Sequence, residues 1–527
     1  MSGTAEIALG LVVVITAAVT IARKVQWPYP IVLVIVGLLL SFVPGLPQVQ
    51  LEPETVFLIF LPPLLYSAAW QTSWRDFRFN LRPITLLAVG LVFITTLVVG
   101  VVAHYIVGLP WAVAFTLGAI VSSTDAVAAT AILRRLGAPR RIVTVLEGES
   151  LVNDAAALVA YRAAVAAVTT GVFSLWDTAV SFAVGAVAGV AIGLVVGAVF
   201  VWVEQHLDDP PVEILTSVVP PYIAYVVAEQ LHVSGVLAVV TAGLYAAYRS
   251  SSFMGSRVRT QAWGVWEIIE FSLNGLIFVL IGFQLRELRE SLTVGDALVL
   301  LRDGAIISVA VIVIRILWTY PATYLPRLLS RRLRERDPSP LPQSVAVISW
   351  AGMRGVISLA TALALPLTVA GGAPFPERER VLVLTFVVIF ATLVGQGLTL
   401  GPLIKRLDLQ DDGGEEREAA EVELRTARAA LARLEELEVE EWVMPEKAER
   451  IRSEYEFRVE RLVARCAGDG AAAEYDQHRD GYHRLLTELL TSERHEAIAL
   501  RNRRVISDDV LHRVEHQLDL AQLRLEA

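Results

Sequence analysis

The sequence predicts an all-α polytopic membrane protein of about thirteen transmembrane helices followed by a charged helical tail. Three observations predict it. Apolar runs follow one another as far as Leu407, and most reach the roughly 20 residues that a helix needs to cross about 30 Å of hydrocarbon. Inside lipid the backbone must satisfy its own polar groups, so runs of this length mean helices. From Asp411 the composition turns abruptly charged, which divides the chain into a membrane domain, 1–407, and a cytoplasmic helical domain, 408–527.

The spans fall near 5–22, 29–44, 54–70, 83–107, 110–133, 141–168, 175–203, 212–230, 232–249, 263–285, 299–325, 342–369 and 380–405. The first follows no basic stretch and runs on into further spans, so it reads as a helix and not as a cleavable signal peptide. With the N-terminus outside, inner loops hold Arg23, Lys24, Arg134, Arg135, Arg140, Arg141 and the run Arg327 to Arg336, whereas outer loops hold only Arg286, Arg289, Arg302, Arg378 and Arg380. This asymmetry follows the positive-inside rule and places the tail in the cytoplasm, at the inner membrane of a cell. One inner loop, Glu204 to Glu213, has neither Lys nor Arg and departs from the pattern. The single cysteine, Cys466, excludes a disulfide framework and a cysteine metal site, and the net charge of −9 lies largely in the tail and does not indicate nucleic acid.

The fifth span carries Ser122-Ser123-Thr124-Asp125 in its middle. Small hydroxyl residues often make helix contacts in membranes, which accounts for the serines but not for Asp125. Hydroxyls also satisfy backbone groups freed by a break, leaving hard oxygens for a cation. The sixth span carries Gly148-Glu149-Ser150-Leu151-Val152-Asn153-Asp154. A carboxylate at mid-membrane adds roughly 2.5–3.5 kcal/mol to insertion, so it stays where a charge, a proton or a cation ligand is needed. At helical spacing Ser150 and Asp154 share one face and Glu149 and Asn153 another, so the two carboxylates have different work. Thr124, Asp125, Ser150 and Asp154 together could ligate a sodium ion, and Glu149 needs a cationic partner. Arg315, inside the eleventh span, is the most central candidate.

The twelfth span contains Gly352-Met353-Arg354-Gly355, where glycines around an arginine predict a second break. The alternative for Arg354 is an interfacial arginine that snorkels to water. If spans 1–6 and 8–13 are two copies in opposite orientation, the interrupted fifth and twelfth spans correspond, which is the order of a transporter built from inverted repeats with its site at the midplane.

These motifs, in order, with the closing Gln396-Gly397-Leu398-Thr399, resemble the sodium/proton exchanger branch of the monovalent cation:proton antiporters, in particular its bacterial sodium/proton antiporters, over about residues 5 to 405. The resemblance implies a thirteen-helix homodimer in which a core domain moves against a dimerisation domain. It implies that Asp154 carries the ion or the proton, that Asp125, Thr124 and Ser150 complete the site, and that Asn153, paired with Asp154, goes with electroneutral exchange of one cation for one proton. Glu149 would pair with Arg315, and Arg354 would steady the broken-helix crossing. Two departures stand out: Ala126 follows the Thr-Asp pair where the family often has proline, and Ser67 stands where many exchangers carry an acid. Any ligand supplied there must be missing, weaker or replaced by water.

A proton and a sodium ion competing for one buried carboxylate make an exchanger, so the expected function is export of sodium or lithium for external protons, serving pH and sodium homeostasis. A potassium/proton exchanger would use the same machinery. An intramembrane aspartyl protease, the one enzyme considered, would use Asp125 and Asp154 but not Glu149, Arg315 or Arg354, and the chain lacks its Gly-any-Gly-Asp signature. No cofactor is called for beyond the transported ions; small cations, the lipid bilayer and a second copy are the expected partners. In the tail, Leu424, Leu431, Leu434 and Leu437 form an apolar stripe suited to a helical bundle or dimer contact, whose partner the sequence does not name. His478, His483, His495, His512 and His516 read as solvated surface residues or as a pH sensor.

Overall fold

A computed structural model describes residues 2–25, 27–43, 57–171, 174–283, 294–369, 372–409, 414–440, 442–467, 471–503 and 505–526. Arg286, Arg289 and the acidic joint at 411–413 lie outside these residues. The chain forms two compact units, Met1–Asp411 and Asp412–Ala527. Among the described residues the only β pairing is an isolated bridge between Thr368 and Pro374.

The first unit opens with α1 (Ser2–Val25), α2 (Tyr29–Leu40) and α3 (Leu61–Gln71). Prolines fall in the first turns of α2 and α3, where a missing N–H costs nothing. Next come α4 (Leu81–Val107), α5 (Trp111–Ile120), α6 (Val127–Arg135) and α7 (Arg140–Thr170). Pro139 precedes α7, and Gly171 ends it in the left-handed region at φ 72°. Then follow α8 (Leu175–Glu204), α9 (Pro210–Gln230), α10 (Gly235–Phe253), α11 (Ser256–Phe283) and α12 (Val294–Leu329). The unit closes with α13 (Pro342–Trp350), α14 (Val356–Leu363) and α15 (Arg378–Arg406).

Among the described residues, seven helices, α4, α7, α8, α9, α11, α12 and α15, contain stretches long and apolar enough to cross a membrane. Trp176, Val187, Val195 and Trp202 of α8 point outward, an apolar surface suited to lipid. Its other side meets α10 closely: a Cβ on Gly193 would lie 2.3 Å from the Ala238 carbonyl oxygen, so only glycine permits the approach.

Two features differ from the sequence reading. The stretches Leu86–Leu91 and Ala103–Val107 of α4 and Ala391–Gln396 of α15 are π-helical. A widened turn leaves no mark in a run that is apolar on every side. The twelfth predicted span, 342–369, is helical only to Leu363, with Pro366 close behind.

The second unit holds α16 (Gly414–Leu437), α17 (Pro445–Ala467), α18 (Ala471–Asn502) and α19 (Asp508–Glu526). Leu424 and Ala427 are buried with Leu462, against Tyr455 and Val459 of α17, and Leu431, Leu434 and Leu437 are half-buried. This stripe is therefore used, at least at its start, inside the unit. His495, His512 and His516 are exposed and His483 is half-buried, while the side chain of His478 lies outside those described.

Candidate functional site

Two interrupted helices cross at the centre of the first unit. The chain leaves helical geometry between α5 and α6, at Val121–Ala126, and again between α13 and α14, at Ala351–Gly355. The two breaks touch: the Asp125 backbone N–H donates to the Met353 carbonyl at 2.8 Å. Four half-helix ends meet here, and ends carry uncompensated backbone charge. Asp125 answers the positive pair. Its Oδ1 accepts from the Val127 N–H at 2.9 Å, and the Val356 N–H, first in α14, faces the same carboxylate. Arg354 answers the negative pair, donating from Nε to the Val121 carbonyl at 2.9 Å and from Nη1 to the Gly352 carbonyl. Its guanidinium is fully buried, so it does not snorkel to water.

Gly355 makes this packing possible, since a Cβ there would fall 1.9 Å from Asp125 Oδ2. From α15, Thr392 Oγ1 accepts from the Arg354 N–H at 3.1 Å and Gln396 Nε2 donates to the Trp350 carbonyl at 2.8 Å. Thr399 Oγ1 accepts from Trp350 Nε1 at 3.0 Å. The Gln396–Thr399 motif thus steadies the second break.

The continuous helix α7 lies beside the crossing with its polar side chains divided between two faces. Glu149, 1% exposed, takes a bidentate pair from Arg315, with Nη1 at 2.5 Å and Nη2 at 2.9 Å. Arg315 also donates to the Ile348 carbonyl at the end of α13, from Nε at 3.2 Å and Nη2 at 3.0 Å. A buried carboxylate closed in this way is neutralised where it stands.

The sequence reading counts Thr124 among the ion ligands; its hydroxyl donates to Glu149 Oε1 at 2.8 Å and accepts from Asn153 Nδ2 at 2.5 Å. The Thr124 carbonyl accepts from Asn153 at 3.0 Å and from Ser150 Oγ at 3.2 Å. Both of its oxygens are engaged in tying the break to α7. Asp154, 3% exposed, is hydrogen-bonded by Ser123, whose hydroxyl donates to Oδ1 at 2.5 Å. No arginine or lysine among the described residues pairs with Asp154.

A cavity of about 260 Å³ opens against Ser123, Thr124, Asp125, Ser150 and Asp154. Tyr29, Glu147, Glu270 and Asn274 line other parts of it. At Ser67, where the sequence reading expects a missing or weakened ligand, Glu270 of α11 brings a carboxylate: Ser67 Oγ donates to Glu270 Oε2 at 2.8 Å.

Comparison with known proteins agrees with this architecture. The family described as sodium/hydrogen exchanger, transmembrane, matches residues 10–406. The chain belongs to that family. It is 33% identical to an uncharacterised sodium/proton exchanger of Mycobacterium tuberculosis over 99% of this chain and 97% of that one. It is 36% identical to a sodium/proton antiporter of Aphanothece halophytica over 78% of this chain and 75% of that one. Among solved structures, the sodium proton antiporter of Methanocaldococcus jannaschii superposes with a TM-score of 0.59 at 17% identity, covering 76% of this chain and 99% of that one. That likeness shows the fold: an all-helical polytopic membrane protein built as those antiporters are. The family is one of transporters and not of enzymes.

Two polar residues that line the cavity, Ser123 and Glu270, escape sequence reasoning. Ser123 stands beside two equivalent hydroxyls, and only the course of the broken backbone decides which of them turns to Asp154. Glu270 lies in no motif. Its one signal is a carboxylate inside the apolar stretch of α11.

Proposed function

We propose that this chain is a secondary antiporter that exports sodium in exchange for external protons, one for one and without net charge movement. The observation that supports it best is the unlike treatment of two buried carboxylates on one helix. Glu149 is closed by Arg315, whereas Asp154 faces a cavity with a neutral hydroxyl as its hydrogen-bond donor. A carboxylate in that position is neutralised by a proton or by a cation, and not by both at once. If the loaded core reorients only when Asp154 is neutral, the inward proton gradient drives sodium out.

In this reading Asp154 is the shared site, and Ser123, Ser150 and Asp125 offer the oxygens around the ion. Asp125 has a second duty as counter-charge to the crossing. Asn153 contributes an amide where a second carboxylate would add a charge, which suits electroneutral exchange. The unit 1–407 would cross the membrane thirteen times as two inverted repeats, work as a homodimer, and leave residues 408–527 in the cytoplasm with the N-terminus outside.

The test is proton movement in proteoliposomes on addition of sodium, lithium or potassium, with and without an imposed potential, for the wild type and Asp154→Asn. A sodium response that ignores the potential and vanishes in the variant, while the variant still inserts and folds, is the expected result. Normal exchange by Asp154→Asn would sink the assignment, and a response to potassium alone would change the ion.

A further inference from the structure

Glu270 takes no part in the exchange chemistry just described, yet its setting is that of a cation ligand. Both of its hydrogen bonds fall on one oxygen. Ser67 Oγ at 2.8 Å and Gln71 Nε2 at 2.9 Å each donate to Oε2, and Oε1 receives neither. These donors orient the carboxylate without neutralising it. Its neighbours on α7 are closed: Glu147 is paired with Arg134 at 2.6 Å and Glu149 with Arg315 at 2.5 Å. Among the described residues no arginine or lysine pairs with Glu270.

Its place in the fold gives the open charge a purpose. The cavity of about 260 Å³ that holds Asp125 and Asp154 meets a second of about 800 Å³, and Tyr29, Gln71, Arg134 and Glu270 line both. The larger one reaches Arg23, Arg259 and Glu267. A cation moving from the larger space to the smaller passes Glu270. One helical turn further on, Asn274 is 2% exposed, its Nδ2 has no partner, and it lines the smaller cavity. Turned over, that amide presents an oxygen instead. Hard carboxylate and amide oxygens with room for water suit an alkali ion that keeps part of its hydration shell.

We propose that Glu270 forms a second cation-binding site, a vestibule that holds a hydrated monovalent cation and passes it to Asp154. The inference rests on the antiport reading above and adds a residue that sets apparent affinity for the cation. A carboxylate held only by neutral donors attracts an ion without trapping it, so the site raises local concentration and releases readily.

The experiment is the initial rate of proton movement against sodium concentration, at fixed pH, for the full chain in proteoliposomes. Wild type would be compared with Glu270→Gln, Glu270→Asp and the double variant Ser67→Asp with Glu270→Asn, which moves the carboxylate across the hydrogen bond. Removing one charge at ion-pair range predicts that Glu270→Gln raises the KM for sodium roughly three- to ten-fold, with the maximal rate held within about two-fold. Glu270→Asp and the double variant should recover most of the affinity. An unchanged KM in Glu270→Gln would overturn the proposal, as would a fall in maximal rate at constant KM, or a double variant that folds and exchanges at the KM of Glu270→Gln. A wild type that exchanges no alkali cation would instead overturn the antiport reading.

Discussion

Asp154 differs from the other charges around the crossing in what opposes it. Arg315 and Glu149 neutralise each other, while Arg354 and Asp125 are spent on the ends of broken helices. The pair Arg315–Glu149 is predicted to be structural. Glu149→Gln, which leaves a buried guanidinium without its counter-ion, should cost about 3–5 kcal/mol, read as a marked fall in thermal unfolding midpoint in detergent. The double change Glu149→Leu with Arg315→Leu should cost less than the sum of the single changes, because it strands no charge. Gly355→Ala makes a different prediction. The added methyl must push the Asp125 carboxylate away from the two helix ends that it caps, so exchange should fall about ten-fold or more in a protein that still reaches the membrane. Full exchange by that variant would show the carboxylate placement to be immaterial.

Three interruptions or widenings of helices, in α5–α6, α13–α14 and α15, fall at the crossing, and α8 and α10 are packed through glycine. The breaks between α5 and α6 and between α13 and α14 free backbone groups that only a buried charge of the right sign can satisfy, which is why Asp125 and Arg354 sit inside them. The π-helical stretch Ala391–Gln396 of α15 spans Thr392 and Gln396, two of the residues that hold the second break. On the scaffold side, the approach of α8 to α10 leaves no room at Gly193. Gly193→Ala should lower stability by about 1–3 kcal/mol through overpacking, with the KM for sodium unchanged, as measured by thermal unfolding beside a transport assay. A shifted KM would mean that this contact moves with the site.

At the scale of the whole molecule, the membrane unit encloses its own core and its own cavity within Met1–Asp411, and the tail buries Leu424, Ala427 and Leu462 within itself. Removal of residues 412–527 should therefore leave a folded exchanger. Comparison of the pH profile of exchange before and after the truncation decides whether the tail regulates: a displaced profile assigns it that role, and an unchanged one leaves it to assembly or stability. The sequence by itself determined the class of the fold and displayed the motifs of the site, because crossing lipid demands long apolar helices and makes every polar residue inside them conspicuous. It also placed Asp154 and Glu149 on different faces of one helix, since helical spacing alone decides that. Only the tertiary structure decided that Ser123 bonds Asp154, that Thr124 is occupied by Glu149 and Asn153, and that Glu270 stands at Ser67. Those contacts join residues 25 or more positions apart through backbone that is broken, or across helices with no shared register. Local periodicity, which is what a sequence displays, carries no information about them.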